Sequence, residues 1–311
     1  MKRTNRLTEG RKMFISVMVV FAVYAIIFIL FEDYDRAYLE PFNEISDWHL
    51  LLFSIVVLLL LGFLLNRYAR RMDERINKEQ EEKKKQMRRE LTQNIAHELK
   101  TPVASILGYT ETLLDNPDMN EQTRHQFIER TNAQAQRLTS LLQDISTLNR
   151  MDYAANALIM QRIDVSQIVA EVCDETALAV AQKHMTLHNC LPQSIIIEGN
   201  QSLIYSIFRN LVDNAVCYAG EGSTIEISAE ENLDCYRFTF DDNGCGIDPE
   251  HLPRIFERFY RVDKGRSRTL GGTGLGLSIV KNAVMLHGGT IVANCVPGGG
   301  LAFDFSLKKK Q

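Results

Sequence analysis

Hydrophobic and polar positions divide the chain into four regimes. Two uncharged apolar runs come first, at 13–31 and 48–65. Nineteen helical residues at ~1.5 Å each span about 28 Å, close to the ~30 Å hydrocarbon thickness of a bilayer, so 13–31 has the length of a membrane helix. Residues 67–90 are dominated by Arg, Lys, Glu and Gln without Gly or Pro, which predicts a continuous helix paired with another. Met87, Leu91, Ile95 and Leu99 then recur every four residues, the stripe of an amphipathic helix. His97 falls off that stripe and faces outward, with Thr101 one turn later on its face. Pro102 is expected to bend the helix just past the histidine, while Val103, Ile106, Leu107, Leu113 and Leu114 continue the apolar pattern.

Asn116, Pro117 and Asp118 mark a turn, and Phe127, Thr131, Gln134, Leu138, Leu141, Ile145 and Leu148 space a second helix. One such hairpin buries little by itself, whereas two from separate chains make a four-helix bundle, so a homodimer is expected. From Gln161 the pattern changes again. Asp164 is placed to cap a helix through Lys183, and further helices are expected at 202–218 and 276–286. Strand-like alternation appears at 224–228, 236–241, 290–294 and 301–307. Together these predict an α+β sandwich of about 150 residues.

Charge orients the two apolar runs. Residues 1–12 hold Lys2, Arg3, Arg6, Arg11 and Lys12 against Glu9, residues 32–47 hold six acids against Arg36, and Arg67, Arg70, Arg71 and Arg75 follow the second run. Under the positive-inside rule both termini are cytoplasmic, with Trp48 and Tyr68 where interfacial aromatics belong. A cleaved leader fits less well, because Glu32, Asp33, Tyr34 and Asp35 replace a small-residue cleavage site. The loop at 32–47 is too short to fold as a ligand-binding domain. With 45% hydrophobic residues, 24% charged and a net charge of −4, the chain is too apolar for disorder, and its balance gives no basis for direct nucleic-acid binding. Six cysteines, at 173, 190, 217, 235, 245 and 295, form no C-x-x-C pair and fit a reducing cytosol.

Four constellations carry candidate chemistry. In Asn94-Ile95-Ala96-His97-Glu98-Leu99-Lys100-Thr101-Pro102, a neutral imidazole is a competent nucleophile, and Glu98 beside it is placed to hold the other ring nitrogen and accept its proton. Asn210 and Asn214 stand four apart on one helix face, where amide oxygens can converge on a hard cation carrying phosphates. Asp242-Asn243-Gly244-Cys245-Gly246 follows a strand, with two glycines for close approach and an aspartate able to accept from an exocyclic amine. Gly271-Gly272-Thr273-Gly274-Leu275-Gly276 opens a helix, whose backbone N–H groups suit phosphate. Between the last two lies Ile255-Phe256-Glu257-Arg258-Phe259-Tyr260-Arg261, followed by a polar stretch with Lys264, Arg266 and Arg268 that suits a lid over phosphate charge.

In this order and spacing the motifs resemble those of a bacterial membrane-bound sensor histidine kinase of a two-component system, over residues 67–311. The resemblance implies a two-helix transmembrane hairpin, a dimeric four-helix-bundle phosphoacceptor domain and an α+β sandwich ATP-binding domain of the histidine kinase/gyrase/chaperone type. Mapped onto the chain, it implies a cytoplasmic N-terminus at 1–12, membrane helices at 13–31 and 48–65 joined by an extracytoplasmic loop at 32–47, a helical linker at 66–90, a dimerisation and phosphotransfer domain at 91–152 and a catalytic domain at 161–311. It further implies a homodimer in the bacterial cytoplasmic membrane that uses ATP and Mg²⁺ to phosphorylate His97, passes the group to an aspartate of a cognate response regulator and also dephosphorylates that partner.

By the same resemblance Glu98 is the base beside the phosphoacceptor and Thr101 the position that orients water for dephosphorylation. Asn210 and Asn214 are the magnesium and phosphate contacts, Tyr218 an aromatic stacking on adenine, and Asp242 the adenine-reading acid with Gly244 and Gly246 shaping its pocket. Arg258, Gly272, Thr273, Gly274, Leu275 and Gly276 complete the nucleotide-binding set. Two positions depart from the pattern: Cys217 stands where a basic residue is usual, and Asn200 where an aspartate is common and a structural role is expected. The stretch 108–113 is similar to kinases of the phosphate-regulon type. The alternatives are another ATPase of the same nucleotide fold and a non-catalytic ATP-binding membrane receptor or scaffold.

Overall fold

The structure, a computed structural model, describes residues 23, 43–153, 159–262, 272–296 and 298–310. The first apolar run, apart from Val23, and residues 32–42 of the expected loop lie outside them. The chain divides into two compact units, 1–88 and 89–311.

Helix α1 (Asn43–Asp115) begins in the first unit, five residues ahead of the second apolar run. Leu52, Ile55, Leu59, Leu60 and Phe63 are exposed on it. Several other side chains of that run lie outside the described residues, among which no helix is long and apolar enough to cross a membrane.

In the second unit, the C-terminal part of α1 and α2 (Glu121–Tyr153) form a hairpin. Asn120 Oδ1 accepts from Thr123 N at 2.8 Å to start α2, and Arg124 donates to the Pro117 carbonyl across the expected turn. Tyr109 and Phe127 meet edge to face at 5.7 Å. Pro102 is buried within α1, which continues through it. On either side, the Thr101 and Ser105 hydroxyls donate to the carbonyls of His97 and Thr101, at 3.4 and 3.1 Å.

The rest of the unit is a two-layer sandwich. Its elements are β1 (Gln161–Asp164), α3 (Val165–Gln182), β2 (Thr186–Asn189), β3 (Ile196–Gly199), α4 (Gln201–Tyr218), β4 (Thr224–Glu231), β5 (Cys235–Asp242), α5 (Gly276–Leu286), β6 (Ile291–Cys295) and β7 (Leu301–Lys308). The main sheet runs β2-β4-β5-β7-β6, with β2 parallel to β4 and the other pairs antiparallel. Strands β1 and β3 pair separately. Every second residue of β5 and β7 faces inward, so Phe238, Phe240, Phe303, Phe305 and Leu307 form an apolar floor against Leu203, Ile207, Phe208 and Leu211 of α4.

The expected caps are in place. Asp164 accepts from Ser166 N at the head of α3, and Asn200 from Leu203 N at the head of α4, which is the structural role expected of Asn200. Strands β1, β2 and β3 lie outside the predicted set, because runs of four residues give too little alternation to register.

One buried histidine ties α5 to α4. His287 is fully buried; its Nδ1 donates to the Ala283 carbonyl at 2.7 Å and its Nε2 accepts from Asn200 N at 3.0 Å. Burial holds its pKa below the ordinary value of 6.5, since a charged ring would lose solvation and a protonated Nε2 could no longer accept from Asn200 N. The unfolded chain therefore takes up this proton at a higher pH than the folded one. Stability conferred by the neutral ring is complete above pH 6.5 and falls as acid is added below it, with a slope of up to ~1.4 kcal/mol per pH unit. Urea unfolding from pH 7.5 to 5 is expected to show this fall, and His287→Gln to flatten it.

Candidate active site

The α4 face that carries Asn210 and Asn214 looks toward the start of α5. The Asn210 amide nitrogen donates to the Ser206 carbonyl at 2.7 Å, which turns its oxygen toward Gly276. A Cβ at Gly276 would lie 2.6 Å from that oxygen, so a larger residue there would push the Asn210 amide aside. Asn214 is half-buried one turn later, and Tyr218 is 39% exposed at the end of the helix, its carbonyl accepting from the Cys245 thiol.

The strand end and its turn close the other side. Asp242 is only 6% exposed and accepts from Gly244 N at 2.9 Å. Burial pushes its pKa up, and hydrogen bonds from Gly244 and Leu301 partly offset this. Gly244 packs so tightly on Ala219 that any Cβ would overlap it, and Gly246 has φ +64 with its open side against Gly300. These contacts bring the end of β5, the end of α4 and the β6–β7 turn to one rim.

The glycine loop is described from Gly272 onward, and residues 263–271, which include Lys264, Arg266, Arg268 and Gly271, lie outside the described residues. Gly274 has φ +73 and its carbonyl accepts from Phe259 N at 2.7 Å, while Phe259 itself has φ +63. Leu275 is fully buried and directs the first turn of α5. The segment 255–261 is thus stitched to the loop, with Tyr260 held between His251 Nδ1 at 2.8 Å and the Arg254 guanidinium.

The same segments reach the bundle hairpin. Arg261 Nη2 donates to Glu98 Oε2 at 3.0 Å and to the Gly272 carbonyl at 2.7 Å, and Arg137 stands 3.6 Å from the same carboxylate oxygen. Arg261 Nε is buried and has no partner among the described residues. Arg258 pairs with Asp152 at 2.9 Å, and Thr273 Oγ1 donates to Asp144 Oδ2 at 2.7 Å. His97 is exposed on α1, and its carbonyl accepts from Thr101.

Two of the expected site residues have ion-pair partners in this arrangement. Glu98 is paired with Arg261 at 3.0 Å and lies 3.6 Å from Arg137. Arg258, expected at the nucleotide, is engaged by Asp152 of α2. Of the joining residues, Asp144 and Arg137 lie outside the sequence motifs, and Arg261 closes the 255–261 motif. The one local signal was an acid, Asp144, set among Leu141, Ile145 and Leu148 on the apolar stripe.

The groups at this rim suit an adenine nucleotide: a buried acceptor at Asp242, the Asn210 amide oxygen facing Gly276, and a glycine-rich start of α5. Among the described residues no cluster of His, Cys, Asp and Glu could hold a metal by itself. All six cysteines are free.

Comparison with known proteins agrees with this geometry. Residues 87–154 match the His Kinase A (phospho-acceptor) domain, and residues 199–311 the Histidine kinase-, DNA gyrase B-, and HSP90-like ATPase. Sensor-like histidine kinase SenX3 of Mycobacterium tuberculosis is 36% identical over 220 residues, covering 71% of this chain and 53% of that protein. Phosphate regulon sensor protein PhoR of Pseudomonas aeruginosa is 35% identical over 227 residues, covering 73% and 51%. The chain spans about half the length of these curated relatives. The fold is shared with Acinetobacter baumannii histidine kinase AdeS, at TM-score 0.56 and 22% identity over 68% of this chain and 98% of that one. It is also shared with histidine kinase ThkA, solved in complex with response regulator protein TrrA, at TM-score 0.57 and 22% identity over 71% and 61%. With a phosphoacceptor domain followed by an ATPase domain of this kind, the chain belongs to the sensor histidine kinases.

Proposed function

We propose that the protein is a membrane-bound homodimeric kinase that phosphorylates His97 from ATP and passes the phosphoryl group to an aspartate of a response regulator. The observation that carries this reading is the pairing, in one unit, of an exposed histidine followed by Glu98 with a glycine-lined nucleotide pocket. Asp242 accepts the adenine amine, Tyr218 stacks on the base, and the N–H groups opening α5 receive phosphate. Asn210 and Asn214 would hold Mg²⁺, which would offset phosphate charge.

The His97 imidazole takes the γ-phosphoryl group on a ring nitrogen, ADP leaves, and the ring proton passes to Glu98. Because Arg261 occupies Glu98 in the arrangement seen, that ion pair must open before Glu98 can accept the proton. The freed guanidinium is then available to phosphate. In the reverse role, Thr101 orients water against the phosphorylated regulator.

Support for the homodimer comes from apolar side chains that one hairpin leaves exposed: Val103, Leu107 and Leu114 on α1, and Ile128 and Leu142 on α2. Support for insertion in the bacterial cytoplasmic membrane, with both termini cytoplasmic, comes from the uncharged runs at 13–31 and 48–65 and their basic flanks. One residue favours a second reading, a scaffold that binds ATP without transfer. Burial raises the Cys217 pKa, so the thiol stays neutral where a cation is usual in the family.

The test is incubation of the full chain with radiolabelled ATP and Mg²⁺. Acid-labile, alkali-stable label that moves to a response-regulator aspartate is expected. Nucleotide binding without label would favour the scaffold.

A further inference from the structure

The hydroxyl of Thr273 serves two partners at once. It donates to Asp144 Oδ2 at 2.7 Å and accepts from Leu275 N at 3.2 Å. Leu275 N–H belongs to the group of donors that open α5, so this hydroxyl covers part of the phosphate cradle while Asp144 fixes the hydroxyl. Asp144 is half-buried on α2, and Asp213 of α4 adds like charge to its surroundings. A triphosphate on the cradle would bring further negative charge beside these carboxylates, so triphosphate binding and the Asp144–Thr273 bond oppose each other. On the other edge of the loop, Arg261 ties Gly272 to Glu98.

We infer that Asp144 is a positioning residue that parks the glycine loop on the bundle of its own chain, and that a nucleotide must displace it from Thr273 before the loop can receive phosphate. The inference rests on reading residues 199–311 as the ATP site. Parking lowers apparent affinity by the fraction of molecules held closed to ligand. Departure of the loop also frees the segment that holds Arg261 on Glu98, so nucleotide entry and release of the base are one movement.

The test uses the full chain and calorimetric binding of a non-hydrolysable ATP analogue with Mg²⁺. Asp144→Ala is expected to bind about 10-fold tighter than wild type, the ratio set by one charged hydrogen bond. In the labelling reaction KM for ATP falls by the same factor in Asp144→Ala. A merely structural role would instead weaken binding and lower the unfolding temperature. Should the alanine variant unfold early, Asp144→Asn keeps the volume and removes the charge, and is expected to bind about 3-fold tighter. Unchanged or weaker binding in the folded variant would overturn the inference. A wild-type chain that binds no analogue would overturn the ATP-site reading itself, so the two failures are distinct.

Discussion

Asp242→Asn is expected to weaken ATP binding about 100-fold, with little loss of folded protein. The side chain is nearly buried, and backbone N–H groups of Gly244 and Leu301 already draw on its oxygens. A carboxylate offers four acceptor sites and can serve those donors and an exocyclic amine together. An asparagine of the same shape replaces one oxygen with a donor. Either a backbone N–H or the adenine amine must then face another N–H in a place without water, and a buried donor left unpaired is costly. Calorimetry measures the loss, and thermal unfolding checks the fold. An affinity within about 3-fold of wild type would mean that Asp242 does not read the base.

Phe208→Ala is expected to cost about 3–5 kcal/mol and to lower the unfolding temperature of the sandwich by about 10 °C. Phe208 lies at the centre of the core, fully buried, with ring centroids 5.6 Å from Phe238 and 5.7 Å from Phe305. The two partners stack at 5.2 Å, so they cannot both move into the space vacated. The loss reaches the site as well, because Asn210 and Asn214 ride on the same helix. Calorimetric unfolding measures the first effect and nucleotide titration the second. A drop of less than about 3 °C would show that the core closes over the gap.

Long, strongly patterned elements were legible in the sequence. The bundle stripe, the two capped helices and the four longer strands each carry enough repeats to reveal their period. Gly244 and Gly246 were legible as a place of close backbone approach and Gly276 as part of a phosphate loop, but not their packing on Ala219, Gly300 and Asn210. The three short strands were not, and neither were the joints to the bundle. Asp144, Asp152 and Glu98 meet Thr273, Arg258 and Arg261 across more than 100 residues of chain. No local period reports such a pairing. Glu98 shows the limit most clearly: adjacency in sequence points to the His97 ring, and only the fold reveals its arginine partners from other elements.

The central claim is that His97 receives the phosphoryl group from a nucleotide held by the sandwich. The most direct measurement is the acid-labile, alkali-stable label formed by full-length His97→Gln beside wild type, with ATP affinity measured on both. The account predicts label on wild type, none on the variant and equal affinity for ATP. Label that persists in His97→Gln, or a wild type that binds ATP and stays unlabelled with Mg²⁺ present, would contradict it.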